Sequence, residues 1–156
     1  MRIASLPYVD EQAAVIPADT GDVWRGLVGT LDRIAARPGT ARYARLVRAA
    51  DQVAGGPRPL AVTSTLPGFR VVVAEPGREL ALVGRHFFST YALVLRLSPL
   101  APTSARGPAH TLLHGETRAV FPGPLGAVYR AAVIDTGAHA IGMRRLLGSV
   151  RRAVAE

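Results

Sequence analysis

The chain has 156 residues, 49% hydrophobic and 19% charged, which suits one globular domain and excludes a disordered chain. It has no cysteine, so neither a disulfide framework nor a thiolate zinc site is possible. The formal net charge is +8, and all 19 basic residues are arginine.

The absence of lysine and asparagine beside abundant Arg, Ala, Gly, Pro and Val is the mark of a GC-rich genome, and a bacterial source is expected. The arginines run from Arg2 to Arg152, whereas a phosphate-binding patch concentrates on one face. No nucleic-acid partner is therefore expected. Asp10 and Glu11 interrupt the apolar start of the chain, which makes a poor signal peptide. No apolar run approaches the ~18 residues of a membrane span. The expectation is a cytoplasmic protein without membrane insertion, folded as a single domain over residues 1–156.

Residues 12–16 read as a first strand. Asp19 or Thr20 is a good N-cap, and Asp22 puts an acid in the first turn of the helix that follows. Val23, Trp24, Leu27, Leu31 and Ile34 recur at helical spacing, which carries this helix to about Ala36. Pro38 and Gly39 stop it. A second helix is predicted from about Thr40 to Ala54. Its apolar face is Tyr43, Leu46, Val47, Ala50 and Val53, and its wet face carries Arg42, Arg45 and Arg48. A Gly- and Pro-rich loop precedes a short predicted strand at Leu60 to Thr65.

A meander of four strands follows, from Phe69 to Phe121. In the first, Phe69, Val71 and Val73 alternate with Arg70. Pro76 and Gly77 turn the chain. In Glu79 to Phe88, Leu80, Leu82, His86 and Phe88 oppose Glu79 and Arg85. Tyr91, Leu93, Leu95 and Leu97 oppose Arg96. Residues 99–109 form a flexible hairpin loop. From His110 to Phe121, Leu113, Gly115, Thr117, Ala119 and Phe121 face inward, opposite His114, Glu116 and Arg118.

From about Pro124 to Glu156 the pattern is one long amphipathic helix. Leu125, Val128, Tyr129, Ala132, Thr136, His139, Ala140, Met143, Leu146, Leu147, Val150 and Val154 form its stripe. Gly137 and Gly142 weaken its middle by roughly 1 kcal/mol each relative to Ala. Strands closed by such a helix predict an α+β fold with a cavity between sheet and helix.

No phosphate-cradling glycine loop, nucleophile elbow or His-Glu-x-x-His motif is present. His110 and His114 are four residues apart, but on a strand that spacing is ~13 Å, too far to share an ion. No metal and no cofactor are expected. What remains is a set of polar side chains on inward faces: His86, Tyr91, Tyr129, Thr136 and His139. Each is also readable as a core residue whose polar atom is satisfied by backbone. His86, Tyr91 and His139 are the candidate catalytic groups, since imidazole can move a proton near neutral pH. The predicted ligand wall adds Leu82, Leu93, Leu113, Tyr129, Thr136 and Met143 to these. Trp24 completes it, although packing between the first helix and the sheet is its plainer role.

The chain resembles the START-like, helix-grip superfamily (SRPBCC), which includes polyketide cyclases. Ala14 to Leu27 (AVIPADTGDVWRGL) resembles the family's opening strand and helix, with Trp24 at the usual position. Residues 67–83 (PGFRVVVAEPGRELALV) resemble its paired strands around a turn, and His110 to Thr117 (HTLLHGET) its last strand. The resemblance implies a strongly curved, seven-stranded antiparallel sheet gripping the terminal helix, with a deep cavity. It carries no catalytic motif onto these residues.

Three functions fit. The first is binding of a hydrophobic small molecule of lipid, polyketide or isoprenoid type. The second is a cyclase- or dehydratase-type enzyme using His86, Tyr91 or His139. The third is a regulatory protein whose arginine faces bind an acidic partner. Nothing in the sequence specifies an oligomeric state.

Overall fold

The computed structural model describes residues 2–156. Strand β1 (Tyr8–Ile16) leads into helices α1 (Thr20–Ala35) and α2 (Pro38–Leu46). Strands β2 (Thr65–Leu66), β3 (Phe69–Glu75), β4 (Glu79–His86), β5 (Ser89–Leu100) and β6 (His110–Val120) follow. Helices α3 (Gly123–Arg130) and α4 (Ala138–Ala155) end the fold. The six strands form one antiparallel sheet in the order β1-β6-β5-β4-β3-β2. Register shifts at Tyr8/Asp10 in β1 and Val71/Val73 in β3 bend these two strands, because an extra residue on one strand increases its local twist.

Residues of alternate parity build the inner face. On β6, Leu113, Gly115, Thr117 and Ala119 are all buried, as the sequence predicts, and Thr111 joins them. Glu116 and Arg118 lie on the other face, where Arg96 bridges Glu79 at 3.0 Å and Glu116 at 3.1 Å. Burial alone would raise the Glu116 carboxyl. Hydrogen bonds from Arg118 and Arg96 outweigh that and hold it below its ordinary range.

Helix α1 starts where predicted, with Asp22 N–H donating to the Asp19 carboxylate at 2.8 Å. Its Val23, Trp24, Leu27 and Leu31 pack with Leu80, Leu82, Leu95 and Leu113 of the sheet and with Met143, Leu147 and Val150 of α4. Close approach of the two helices depends on Gly26, where an added Cβ would lie 2.6 Å from a Val154 methyl. A Cβ on Gly115 would lie 2.9 Å from the Met143 methyl. Helix α4 therefore lies chiefly on α1 and β1.

Five expectations need correction. The first strand begins at Tyr8 rather than residue 12. It is an edge strand, so Glu11 sits in solvent beside His114, at 2.7 Å. The second helix ends at Leu46, not Ala54. Arg48 adopts φ 56°, Ala50 N–H donates to the Arg85 carbonyl and Phe87 N–H to that of Val47. This stretch is tied to the end of β4, and Leu46 and Val53 are exposed. Leu60 to Thr65 is a loop folded over the buried Ser64, whose hydroxyl donates to the Pro57 carbonyl, and only Thr65–Leu66 pairs as a strand. The sheet accordingly has six strands rather than seven.

The fifth correction bears on function. The terminal helix is not continuous. α3 passes into a wider turn at Ala131–Asp135 with π-type geometry, and Gly137 at φ 80° interrupts the chain before α4. That φ is in the left-handed region, which glycine reaches without steric cost. The break rotates α3 out of the apolar stripe, so Leu125 and Val128 are exposed.

Leu147 is 2% exposed at the centre of the grip. Leu147→Ala is expected to cost about 3 kcal/mol in denaturant unfolding. Asp19→Ala, which removes only the α1 cap, is expected to cost about 1 kcal/mol.

Candidate functional site

Because α4 lies to one side, the concave face toward β3 and β4 is left for a cavity of about 460 Å³. Its floor is Leu82, Leu93, Thr117 and Ala119 on the sheet. Its walls are Tyr43 and Ala44 from α2, Val47 just after it, Phe69 from β3, Val133 and Ile134 from the π-type turn, and Met143 and Leu146 from α4. Tyr43 and Gly142 are lining residues that remain exposed, and they mark where the cavity reaches solvent.

Seven of the ten sequence-predicted wall residues line this space: Leu82, His86, Tyr91, Leu93, Tyr129, His139 and Met143. Three do not reach it. Trp24 is buried in the core beneath α1, and Leu113 is fully buried there as well. Thr136 lies in the break before α4, exposed, and its hydroxyl donates to the Ala132 carbonyl at 2.6 Å. The partner of His139 is Thr117, whose Oγ1 lies 2.9 Å from His139 Nε2.

His86, at the end of β4, is the centre of an aromatic cluster. Its ring lies 4.9 Å from Tyr129, 5.2 Å from Tyr91 and 6.0 Å from Phe88. Phe88 stacks on Tyr129 at 5.0 Å with the planes 5° apart. Phe88 N–H donates to His86 Nδ1 at 3.1 Å, which leaves Nε2–H as the donor of the neutral ring. Burial lowers the His86 pKa, so the ring is neutral near pH 7.

The phenols are neutral too. Burial raises the Tyr91 pKa, and the neighbouring Tyr43 and Asp51 raise it further. Burial and then the hydrogen bond with Tyr43 do the same for Tyr129. Tyr91 donates to the Gly68 carbonyl. Gly84 makes this seat possible, since a Cβ there would lie 2.1 Å from that carbonyl oxygen and 2.4 Å from the Tyr91 ring. The Tyr43 and Tyr129 hydroxyls bond each other, joining α2 to α3. In such a pair one O–H donates inward and the other is free for a second partner.

At the α4 end of the cavity, the Asp10 carboxylate lies 3.4 Å from His139 Nε2. Its Oδ1 is buried and has no hydrogen-bond partner. The sequence reading missed Asp10 because it placed that residue ahead of the first strand. Tyr43 was assigned to a helix face and Phe69 to a strand, and no short-range pattern marks either as a cavity wall. Among the described residues no group of three or more His, Asp or Glu side chains could hold a metal ion. His110 lies near the Pro108 carbonyl and His114 beside Glu11.

His86 gives a signed pH dependence. Its folded pKa is below the unfolded value of roughly 6.5, so the unfolded chain takes the proton first. Stability is fully present above that unfolded value and is lost as pH falls through the folded pKa. A proton-detected titration of the His86 ring is expected to give a midpoint below about 6.5. His86→Gln is expected to flatten the fall of Tm on the acid side. Gly84→Ala is expected to lose about 3 kcal/mol and to loosen the Tyr91 ring, read by denaturation and by tyrosine ring-flip rates.

No family model matches the sequence. No curated protein matches it either. Solved structures do match in shape. A conserved protein from Geobacillus kaustophilus is 13% identical, covers 93% of each chain and has a TM-score of 0.53. A protein from Thermobifida fusca, solved by NMR in solution, is 20% identical over 92% of this chain and 93% of that one, with a TM-score of 0.50. With this likeness, and with the curved six-stranded sheet closed by a C-terminal helix, the fold of this chain is an α+β helix grip.

Proposed function

We propose that the protein binds a neutral, largely hydrophobic small molecule in the cavity between sheet and helices. The observation that carries this reading is the cavity itself: about 460 Å³ of apolar-walled space where a continuous helix would have filled the sheet. That volume lies within the range of metabolite-binding pockets, about 300–1,000 Å³. An apolar lining with few polar groups favours a lipid, polyketide or isoprenoid skeleton.

The polar groups refine the chemistry. His86 Nε2–H and the free hydroxyl of the Tyr43–Tyr129 pair are both donors on neutral side chains. They suit a ligand with an acceptor oxygen, such as a ketone, ester or ether, and give a charged ligand no counter-ion. Ala119, buried on the cavity floor, is the place to test this. Ala119→Phe fills space without removing any polar group. Titration with a fluorescent fatty-acid ester is expected to show saturable binding to the native chain. In Ala119→Phe binding is expected to weaken at least about tenfold with Tm within a few degrees of native. Equal binding by both proteins counts against the cavity as the site.

A cyclase- or dehydratase-type enzyme is the second reading, and the Asp10–His139–Thr117 contact favours it. A carboxylate 3.4 Å from an imidazole that lines a cavity can stabilise the cation formed when that ring takes a proton. On this reading His139→Ala abolishes turnover and leaves ligand affinity within about threefold. Full activity in that variant removes the assignment.

A further inference from the structure

Charge is segregated in this molecule, and the division follows the cavity. Helices α2, α3 and α4 contain seven arginines (Arg42, Arg45, Arg130, Arg144, Arg145, Arg151 and Arg152) and no Asp or Glu. Among the described residues none of these seven forms an ion pair. Elsewhere six of the twelve arginines are matched by acids: Arg25 by Asp22, Arg58 by Asp32, Arg70 by Asp51, Arg78 by Glu75, Arg96 by Glu79 and Glu116, and Arg118 by Glu116. These three helices thus carry unbalanced positive charge.

The same helices and the β4–β5 turn expose apolar side chains, several of them next in sequence to cavity-lining residues. Leu46 is 79% exposed at the end of α2, and Val128 is 66% exposed on α3 beside Leu125. Ile141 is exposed next to Gly142, and Phe87 is exposed in the β4–β5 turn. Arg48 lies 5.8 Å over the Phe87 ring, and Arg130 lies 5.4 Å over Phe121, so cations and apolar groups are interleaved. α3 has only Gly126 buried, although leucine, valine and alanine are three of its eight residues.

We propose that this helical rim docks on an anionic lipid bilayer. Leu46, Phe87, Leu125 and Val128 would enter the boundary between headgroups and acyl chains, with the arginines on lipid phosphates. A second copy of the chain is a poor occupant, because it would set one arginine-only surface against another. A bilayer also accepts side chains offered from three separate segments. No helix of the described residues is long and apolar enough to cross the membrane, so the contact is peripheral. The proposal rests on the hydrophobic-ligand reading for its purpose: the mouth faces the phase in which such a ligand is dissolved.

The test is co-sedimentation of the full chain with vesicles. One set is phosphatidylcholine alone, and the other contains equal parts phosphatidylcholine and phosphatidylglycerol. Binding is expected to the mixed vesicles, and it should collapse at 1 M salt, where the Debye length is about 3 Å. Arg42→Gln with Arg45→Gln is expected to weaken it about fivefold per arginine. Leu125→Gln with Val128→Gln is expected to weaken it on the order of tenfold. All four side chains are exposed, and an unchanged Tm confirms that each variant folds. Ala119→Phe is expected to bind vesicles as the native chain does, so docking and ligand uptake can fail separately. Equal affinity for the two vesicle types overturns the proposal. So does native-like vesicle binding by the apolar pair with the arginine pair alone losing affinity, which would indicate a general polyanion surface.

Discussion

The seating of α4 against α1 and β1 is the constraint on which the rest of the structure depends. Met143, Leu147 and Val150 enter a core already built by Trp24, Leu27, Leu95 and Leu113. Two glycines, Gly26 and Gly115, bring the helix close on either side. A helix held this tightly to one side of a curved sheet cannot also cover the other side. The remaining concave surface must be covered by something else or left as a cavity. The break at Gly137 lets α3 and the π-type turn roof the space loosely instead of filling it. Proteins rarely leave large apolar voids, since unmade packing contacts forfeit stability. The proposed ligand site rests on a void of this size with an opening.

The polar groups in that space are arranged for orientation more than for strong attraction. His86, Tyr91 and Tyr129 are all held neutral by burial, and most of their hydrogen-bonding capacity is already used within the protein. Affinity would come from apolar contact, with a few donors fixing the ligand's direction. Asp10 and His139 differ from the rest. They bring an acid and a base together at the far end of the cavity, which is where proton transfer would be sought.

Much of this was legible in the sequence, for a physical reason. Strands β5 and β6 and helix α1 are governed by alternation, helical spacing and a cap, all of which are local. The inward set on β6, from Leu113 to Ala119, follows from its outward charges alone. The cavity's histidines and tyrosines were visible as polar residues on apolar faces, and His86, Tyr91, Tyr129 and His139 do converge on one space. What escaped was set by tertiary contact. Ala50 and Phe87 join α2 to β4 through backbone hydrogen bonds between segments some 35 residues apart, on the order of a whole supersecondary unit, and no periodicity encodes that. The helix stripe from Leu125 to Val154 was continuous by angle, yet Gly137 cuts it, so Leu125 and Val128 changed from core to surface. Thr136 left the site by the same break.

Native mass spectrometry of the freshly purified chain, set against its denatured mass and against Ala119→Phe, tests the central claim most directly. A small-molecule adduct on the native chain that is released on denaturation and missing from Ala119→Phe is the predicted result. An identical adduct on both proteins, or none on the native chain after incubation with a lipid extract, would contradict the account of the cavity as a hydrophobic ligand site.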